Sequence, residues 1–158
     1  MPRQDTPWSQ VQADLYAEVQ RFYAYQMPLL EDRRVDEFAD TFTAEGSYAH
    51  AKDGWEITGR EKLKTEIGAA VPHYGNSVFR HWFDKLLIDP CDENTLRVRL
   101  RALVSVTAQD GSVTFEPSST IEDVLVRVDG LLYTKSRVVR HDIPDPAGYW
   151  SDKLAAAR

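Results

Sequence analysis

The 158-residue sequence predicts an α+β domain, and three observations support this fold class. Apolar residues recur with helical spacing before about residue 75 and with a period of two after Ser77. Asp110-Gly111 and Asp129-Gly130 separate the alternating segments, as expected for antiparallel hairpins. Helices followed by strands are typical of domains in which the helices pack against one face of a sheet. We expect residues 1–158 to form a single domain, because this length suits one.

Three helices are predicted in the first half of the chain. The first can begin at Thr6-Pro7, because proline is tolerated at the first helical position, and Met27-Pro28 should end or kink it. The second runs from Arg34 to Thr43 with one apolar stripe. The third opens at a capping box formed by Thr58 and Glu61, and Val71-Pro72 closes it.

The strands are predicted mainly in the second half. Gly46 frees the chain from the second helix, and two short strands follow over 47–51 and 55–57. Long strands are expected over about 77–88, 95–108, 113–128 and 131–141. The tail from Ile143 to Trp150 should be irregular.

Composition excludes several classes of function. A net charge of −6 argues against nucleic acid as a partner, because duplex binding depends on clustered lysine and arginine. Cys91 is the single cysteine, and the four histidines lack the spacing of a metal site, so we expect no metal. No signal peptide or membrane span is visible, which predicts a cytoplasmic protein without membrane contact. The phosphate-binding and serine-hydrolase motifs are missing as well.

His81 is the first candidate for chemistry. Strand alternation places it between Phe79 and Phe83 on one face, with Arg80 and Trp82 on the other. An imidazole in an apolar cavity can transfer a proton near neutral pH. The alternative is a core histidine bound to a backbone carbonyl.

Glu31 lies between the first two helices, from where its side chain could reach the same cavity. A carboxylate bound to the far nitrogen of an imidazole fixes its tautomer and stabilises the imidazolium. The alternative is that Glu31, like Asp32, is a solvated loop charge.

Further candidates surround this pair. Tyr48 and His50 share a face of the first short strand, and either could donate a hydrogen bond to a developing oxyanion or enolate. The apolar walls of a substrate pocket are predicted to be formed by five aromatic residues: Phe22, Tyr23, Trp55, Phe79 and Phe83.

Two segments carry a resemblance to a known family. The segment from Leu30 to Tyr48 resembles the start of SnoaL-like domains, with an acidic residue, a short turn, a helix and the motif F-T-x-[DE]-G. Phe79-Arg80-His81-Trp82 is similar to the x-x-H-[FW] strand of the scytalone dehydratase branch. The resemblance implies a nuclear-transport-factor-2-like cone, in which three N-terminal helices pack on a highly curved, mixed, mainly antiparallel sheet around an apolar pocket.

The resemblance also implies roles for residues. It makes His81 the proton-transfer group and Glu31 its orienting partner, where the branch has an aspartate. His50 falls where the dehydratase has a tyrosine that helps to polarise the substrate carbonyl. Val104 stands roughly where a second catalytic histidine would be, so scytalone itself is not the expected substrate.

We therefore expect a cofactor-free acid–base enzyme of secondary metabolism, for example of antibiotic biosynthesis. It would be a cyclase, dehydratase or isomerase acting on a bulky, hydrophobic, aromatic or polyketide-like carbonyl substrate. The alternatives are a non-catalytic β-subunit of a ring-hydroxylating dioxygenase and a protein of this fold that only binds a ligand. The family resemblance also implies a homodimer, because a second copy commonly covers the exposed sheet face.

Overall fold

A computed structural model describes residues 11–51 and 54–142. In these ranges the chain forms helices α1 (Ala13–Glu31), α2 (Val35–Asp40) and α3 (Arg60–Ala70), a 3₁₀ helix (Val71–Tyr74), and strands β1 (Phe42–His50), β2 (Trp55–Thr58), β3 (Val78–Pro90), β4 (Thr95–Thr107), β5 (Val113–Phe115), β6 (Ser119–Val128) and β7 (Leu131–His141). The predicted helix start at Thr6-Pro7 and the aromatic tail lie outside the described residues.

The strands form one curved, mixed sheet in the order β2-β1-β7-β6-β4-β3, and β5 pairs with β4. Strands β1 and β7 are parallel, and the other neighbours are antiparallel. Asp129 and Gly130 join β6 to β7 with positive φ at both residues, as a type I′ turn requires. The predicted α+β architecture, with helices packed on a mainly antiparallel sheet, is confirmed.

Two apolar clusters hold the helices on the sheet. One joins α1 to the middle of β3, β4, β6 and β7, and its fully buried members include Val19, Val98 and Leu125. The other joins the end of α1 to α2, α3 and the beginning of β3, and it includes Phe38 and Leu63. The second cluster borders the cavity described below.

The ends of the first two helices differ from the prediction. Helix α1 continues through Pro28 to Glu31, because the Pro28 carbonyl still accepts a hydrogen bond from the Asp32 N–H at 2.8 Å. Helix α2 ends at Asp40, since the Thr41 hydroxyl donates to the Phe38 carbonyl. The Thr134 N–H then bonds to the Thr41 carbonyl and leads the chain into β1, which begins at Phe42 and includes Gly46.

The predicted capping box is wrong. Thr58 is the last residue of β2, where it pairs with Ser47, and Gly59 is the N-cap of α3 with φ of 101°. No side-chain hydrogen bond caps this helix. The predicted strand over 113–128 is also divided, because Pro117 has no N–H to donate to a ladder, and β5 and β6 form on either side of it.

Candidate active site

A cavity of about 500 Å³ lies between the inner face of the sheet and α1, α3 and the 3₁₀ helix. Its size is that of a site for a small organic ligand. Most of its surface is apolar or aromatic, and the lining residues include Met27, Leu30, Trp55, Ile67, Phe79 and Phe83. Three of the predicted wall residues, Trp55, Phe79 and Phe83, are therefore on this surface.

His81 lies in the cavity wall formed by β3. Its ring meets those of Phe79 and Phe83 edge-on, with centroids 5.9 and 6.4 Å away. The predicted alternation holds, because Trp82 points to the opposite face and is 59% exposed. Val104 lies directly across from His81 on β4 and also lines the cavity.

Glu31 reaches His81 from the last residue of α1. Its Oε1 accepts a hydrogen bond from the His81 backbone N–H at 2.6 Å and lies 3.5 Å from the ring Nδ1, without a hydrogen bond to it. The backbone bond satisfies an N–H of β3, a strand at the edge of the sheet. The same carboxylate therefore positions the strand and faces one ring nitrogen. It is a buried group, not a solvated loop charge.

Tyr48 and His50 share the cavity wall formed by β1 and β2 with Trp55. The rings of Tyr48 and His50 are stacked with centroids 6.0 Å apart, and Trp55 meets Tyr48 edge-on at 5.5 Å. His141, at the end of β7, also lines the cavity, and its ring centroid is 4.7 Å from that of His50. His141 is not among the site residues predicted from the sequence, although it alternates with Arg137 and Val139 on the inner face.

Phe22 and Tyr23 do not belong to the described lining of this cavity. Tyr23 is buried in the first apolar cluster, and its hydroxyl donates to Asp123 Oδ2 at 3.0 Å. Phe22 packs against the same cluster. Their prediction as pocket walls is therefore corrected: the cavity lies near the C-terminal end of α1, where Met27 and Leu30 supply the lining instead.

A buried ion pair lies behind the cavity on β6 and β7. Asp123 and Arg137 are directly opposite each other in the sheet, and their side chains are 0% and 1% exposed. Arg137 donates from Nε and Nη2 to Asp123, at 2.9 and 2.7 Å, and from Nη2 to the Gln26 Oε1 at 2.6 Å. Gln26 in turn donates to the hydroxyls of Thr41 and Thr134. The network thus connects α1, β1 and the central strands.

Burial and this ion pair determine the protonation of nearby groups. Burial raises the pKa of the Tyr48 hydroxyl, so it remains a neutral hydrogen-bond donor. Burial, followed by the charge of Asp123, raises the pKa of Tyr23. Burial alone would lower the pKa of Arg137, but attraction and hydrogen bonds to Asp123 raise it overall. Arg137 is therefore a permanent cation.

Tyr74 and Glu116 form a second polar contact on the cavity lining. The Tyr74 hydroxyl donates to Glu116 Oε1 at 2.8 Å, and its ring stacks on Phe79 with centroids 4.2 Å apart. Burial and this hydrogen bond raise the Tyr74 pKa. The contact ties the 3₁₀ helix to the segment between β5 and β6.

The described ranges contain neither a metal-binding cluster nor a membrane-spanning helix. Across residues 11–51 and 54–142, no group of three or more histidine, cysteine, aspartate or glutamate side chains is arranged to hold a metal ion. Within the same ranges no helix combines the length and the apolar character needed to cross a membrane.

Comparison with known proteins identifies the family. Residues 11–138 match the SnoaL-like domain. The chain belongs to the SnoaL-like family. No match was found among curated protein sequences.

Solved structures share both sequence and fold with this SnoaL-like chain. Aln2 from a Streptomyces species is 34% identical over 94% of this chain and 99% of its own, with a TM-score of 0.80. A Catenulispora acidiphila structure in complex with S-DNPA is 36% identical over 93% and 100%, with a TM-score of 0.74. ActVI-ORFA from Streptomyces coelicolor is 32% identical over 82% and 98%, with a TM-score of 0.73.

Proposed function

We propose that this SnoaL-like protein is a cofactor-free acid–base enzyme of secondary metabolism. It would abstract a proton next to the carbonyl of a bulky aromatic or polyketide-like substrate, leading to cyclisation, dehydration or isomerisation. One observation carries the proposal: His81 lines an apolar cavity of about 500 Å³, with the Glu31 carboxylate 3.5 Å from its Nδ1. Membership of the SnoaL-like family supports a cyclase-type function, and the S-DNPA complex of the Catenulispora protein supports a small-molecule ligand.

His81 Nε2 is the proton acceptor in this proposal, because Glu31 occupies the Nδ1 side of the ring. The C–H bond next to the carbonyl breaks, its proton bonds to Nε2, and its electron pair forms the enolate. Glu31 stabilises the resulting imidazolium, and Tyr48 or His50 donates a hydrogen bond to the enolate oxygen. General acid–base catalysis of this kind contributes about 10²–10⁴-fold to the rate.

The test is proton exchange, because it reports the shared first step of all three reactions. We would incubate the protein with 2-tetralone in D₂O and follow loss of the α-proton signals by NMR. Wild type should accelerate exchange, and His81→Ala should lose about 10²–10⁴-fold of that acceleration. Asp84→Asn is the matched control, since Asp84 is exposed on the same strand. Equal rates for wild type and His81→Ala would reject the proposal.

A second candidate, the non-catalytic β-subunit, is favoured by one observation. An apolar patch lies on the outer face of β3 and β5, with Val78, Trp82, Val113 and Phe115 each 47% to 62% exposed. A second copy of this chain would cover the same patch, and we propose a homodimer on this ground. Light scattering after size exclusion chromatography distinguishes the homodimer from the subunit. A wild-type dimer that dissociates in the Trp82→Glu variant supports the homodimer, and a wild-type monomer supports the subunit.

A further inference from the structure

We propose that Arg137 anchors one oxygen atom of the ligand, a carbonyl or carboxylate oxygen, at the inner face of β7. The inference rests on the proposed function and deepens it by naming the substrate class. The substrate would be a polycyclic aromatic compound with an oxygen acceptor at the end remote from the carbon that His81 deprotonates.

The Nη1 nitrogen of the Arg137 guanidinium lacks a strong hydrogen-bond acceptor among the described residues. An arginine has five N–H donors. The Nε donor and both Nη2 donors are used by Asp123 and Gln26. Among the described residues, the recorded acceptor for Nη1 is the Met27 sulfur at 3.4 Å, and a thioether is a weak acceptor with room for one of the two donors. At least one Nη1 donor therefore has no oxygen, nitrogen or sulfur acceptor among the described residues; the guanidinium carbon also lies 5.9, 5.8 and 5.5 Å from the Tyr23, Phe42 and Phe83 ring centroids.

The identity of the lining residues places this donor on the cavity side of the guanidinium. Asp123 and Gln26, which bind the other nitrogens, are not among the described lining residues, whereas Met27, which contacts Nη1, is one of them. Arg137 itself lines the cavity, although it is only 1% exposed. Only one edge of the Arg137 guanidinium therefore borders the cavity, and this suits a single oxygen atom of a ligand. It is also the only lysine or arginine in the described lining.

The position of Phe83 relates this donor to the proposed base. The Arg137 guanidinium carbon lies 5.5 Å from the Phe83 ring centroid, and the His81 ring centroid lies 6.4 Å from the same point. A ligand with two or more fused rings that packs on Phe83 can therefore contact both residues. In this apolar surrounding a hydrogen bond to a charged donor is stronger than in water.

The experiment compares three probes of similar shape: naphthalene-2-carboxylate, 2-acetylnaphthalene and 2-ethylnaphthalene. In wild type, at least one oxygen-bearing probe should bind about tenfold or more tightly than the hydrocarbon. The test variant is Asp123→Leu with Arg137→Met, because replacing a buried ion pair by apolar residues of similar size often preserves the fold. In this double variant, the preference for an oxygen-bearing probe over 2-ethylnaphthalene should fall below about threefold. Arg140→Gln is the matched control, since Arg140 lies on the outer face of the same strand.

A second measurement uses unmutated protein. In the ¹⁵N spectrum of arginine side chains, the preferred oxygen-bearing probe should shift one buried guanidinium, and 2-ethylnaphthalene should shift it much less. Equal affinity for all three probes in wild type, no binding by either oxygen-bearing probe, or a preference that survives in the double variant would overturn the inference. Failure of the His81-dependent exchange with the oxygen preference retained would reject the enzyme but keep Arg137 as the anchor.

Discussion

The cavity touches two pairs of oppositely charged or chargeable side chains, and they are built differently. Asp123 and Arg137 are joined by direct hydrogen bonds at full burial, and attraction to Asp123 keeps the arginine charged against the effect of burial. Glu31 and His81 approach each other to 3.5 Å, but the strongest bond of the carboxylate goes to the backbone N–H. The hydrogen bonds to Asp123 and Gln26 hold the Arg137 charge in one place. In the second pair, His81 Nδ1 has no hydrogen-bond partner among the described residues.

The largest effect on stability is expected at the Asp123–Arg137 ion pair. Asp123→Ala leaves the Arg137 charge buried without its partner, and this should lower the free energy of unfolding by about 3–5 kcal/mol. Urea denaturation followed by circular dichroism would measure it. Glu122→Ala, at the neighbouring outward-facing position, is the control and should change stability by less than about 0.5 kcal/mol. A loss of under about 1 kcal/mol at Asp123 would show that the pair does not hold the core.

The two pairs also differ in how far the sequence predicts them. His81 is found because its strand alternates cleanly with phenylalanine, and Glu31 because it precedes a recognisable helix and motif. Asp123 and Arg137 are 14 residues apart and meet only through the register of β6 and β7. Asp123 does alternate with Ile121 and Leu125, which marks it as inward-facing, but its partner follows a bulge that shifts the alternation.

The sequence predicts the fold more completely than it predicts where the individual helices and strands begin and end. The period-two pattern and the Asp129-Gly130 turn predict the β6–β7 hairpin correctly. The predictions at Thr58 and Gly46 are wrong because tertiary contacts override the local preferences of these residues. Of the two outcomes predicted at Pro28, an end or a kink, the end does not occur, because α1 continues to Glu31. Thr58 and Gly46 belong to strands in which partners from other parts of the chain determine the backbone.

A smaller effect on stability, and a large one on catalysis, is expected at Glu31. Glu31→Gln keeps an oxygen that can accept a hydrogen bond from the His81 backbone N–H, so the free energy of unfolding should change little. The rate of proton exchange in 2-tetralone should fall about tenfold or more, with an upper limit at the 10²–10⁴-fold that the base contributes. Glu31→Ala should lose the same activity and also about 1–3 kcal/mol of stability, because the N–H becomes unsatisfied. If Glu31→Gln exchanged protons at the wild-type rate, the carboxylate would have only its backbone role.

The β1 wall of the cavity depends on close packing instead of charge. A Cβ at Gly46 would lie 2.9 Å from the Thr43 carbonyl oxygen and 3.2 Å from that of Thr134 on β7. Gly46→Ala should therefore destabilise the protein by about 1–3 kcal/mol, measured by thermal unfolding. Gly68→Ala in α3 is the matched control with the opposite sign, since nothing lies within 4 Å and alanine favours a helix by up to about 1 kcal/mol. Equal effects at both sites would contradict the close approach of β1 and β7.

The smallest effect is expected at an exposed ion pair, which gives a reference for the buried one. Arg127 Nη2 lies 2.9 Å from Glu18 Oε2, and this hydrogen bond is the main reason that the Glu18 pKa is lowered. Because both side chains are more than a quarter exposed, solvent screens the pair, and Glu18→Gln should cost only about 0.2–1 kcal/mol near pH 7.

The dependence of this cost on pH has a definite sign. A carboxyl whose pKa is lower in the folded state stabilises the protein above its unfolded pKa and loses that contribution as the pH falls through the folded value. The difference between wild type and Glu18→Gln should therefore shrink toward zero below the ordinary glutamate pKa, and it should also shrink in about 1 M salt. Urea unfolding at about pH 7 and pH 3 would measure it. A difference that stays constant between these two pH values would mean that Glu18 acts through packing and not through its charge.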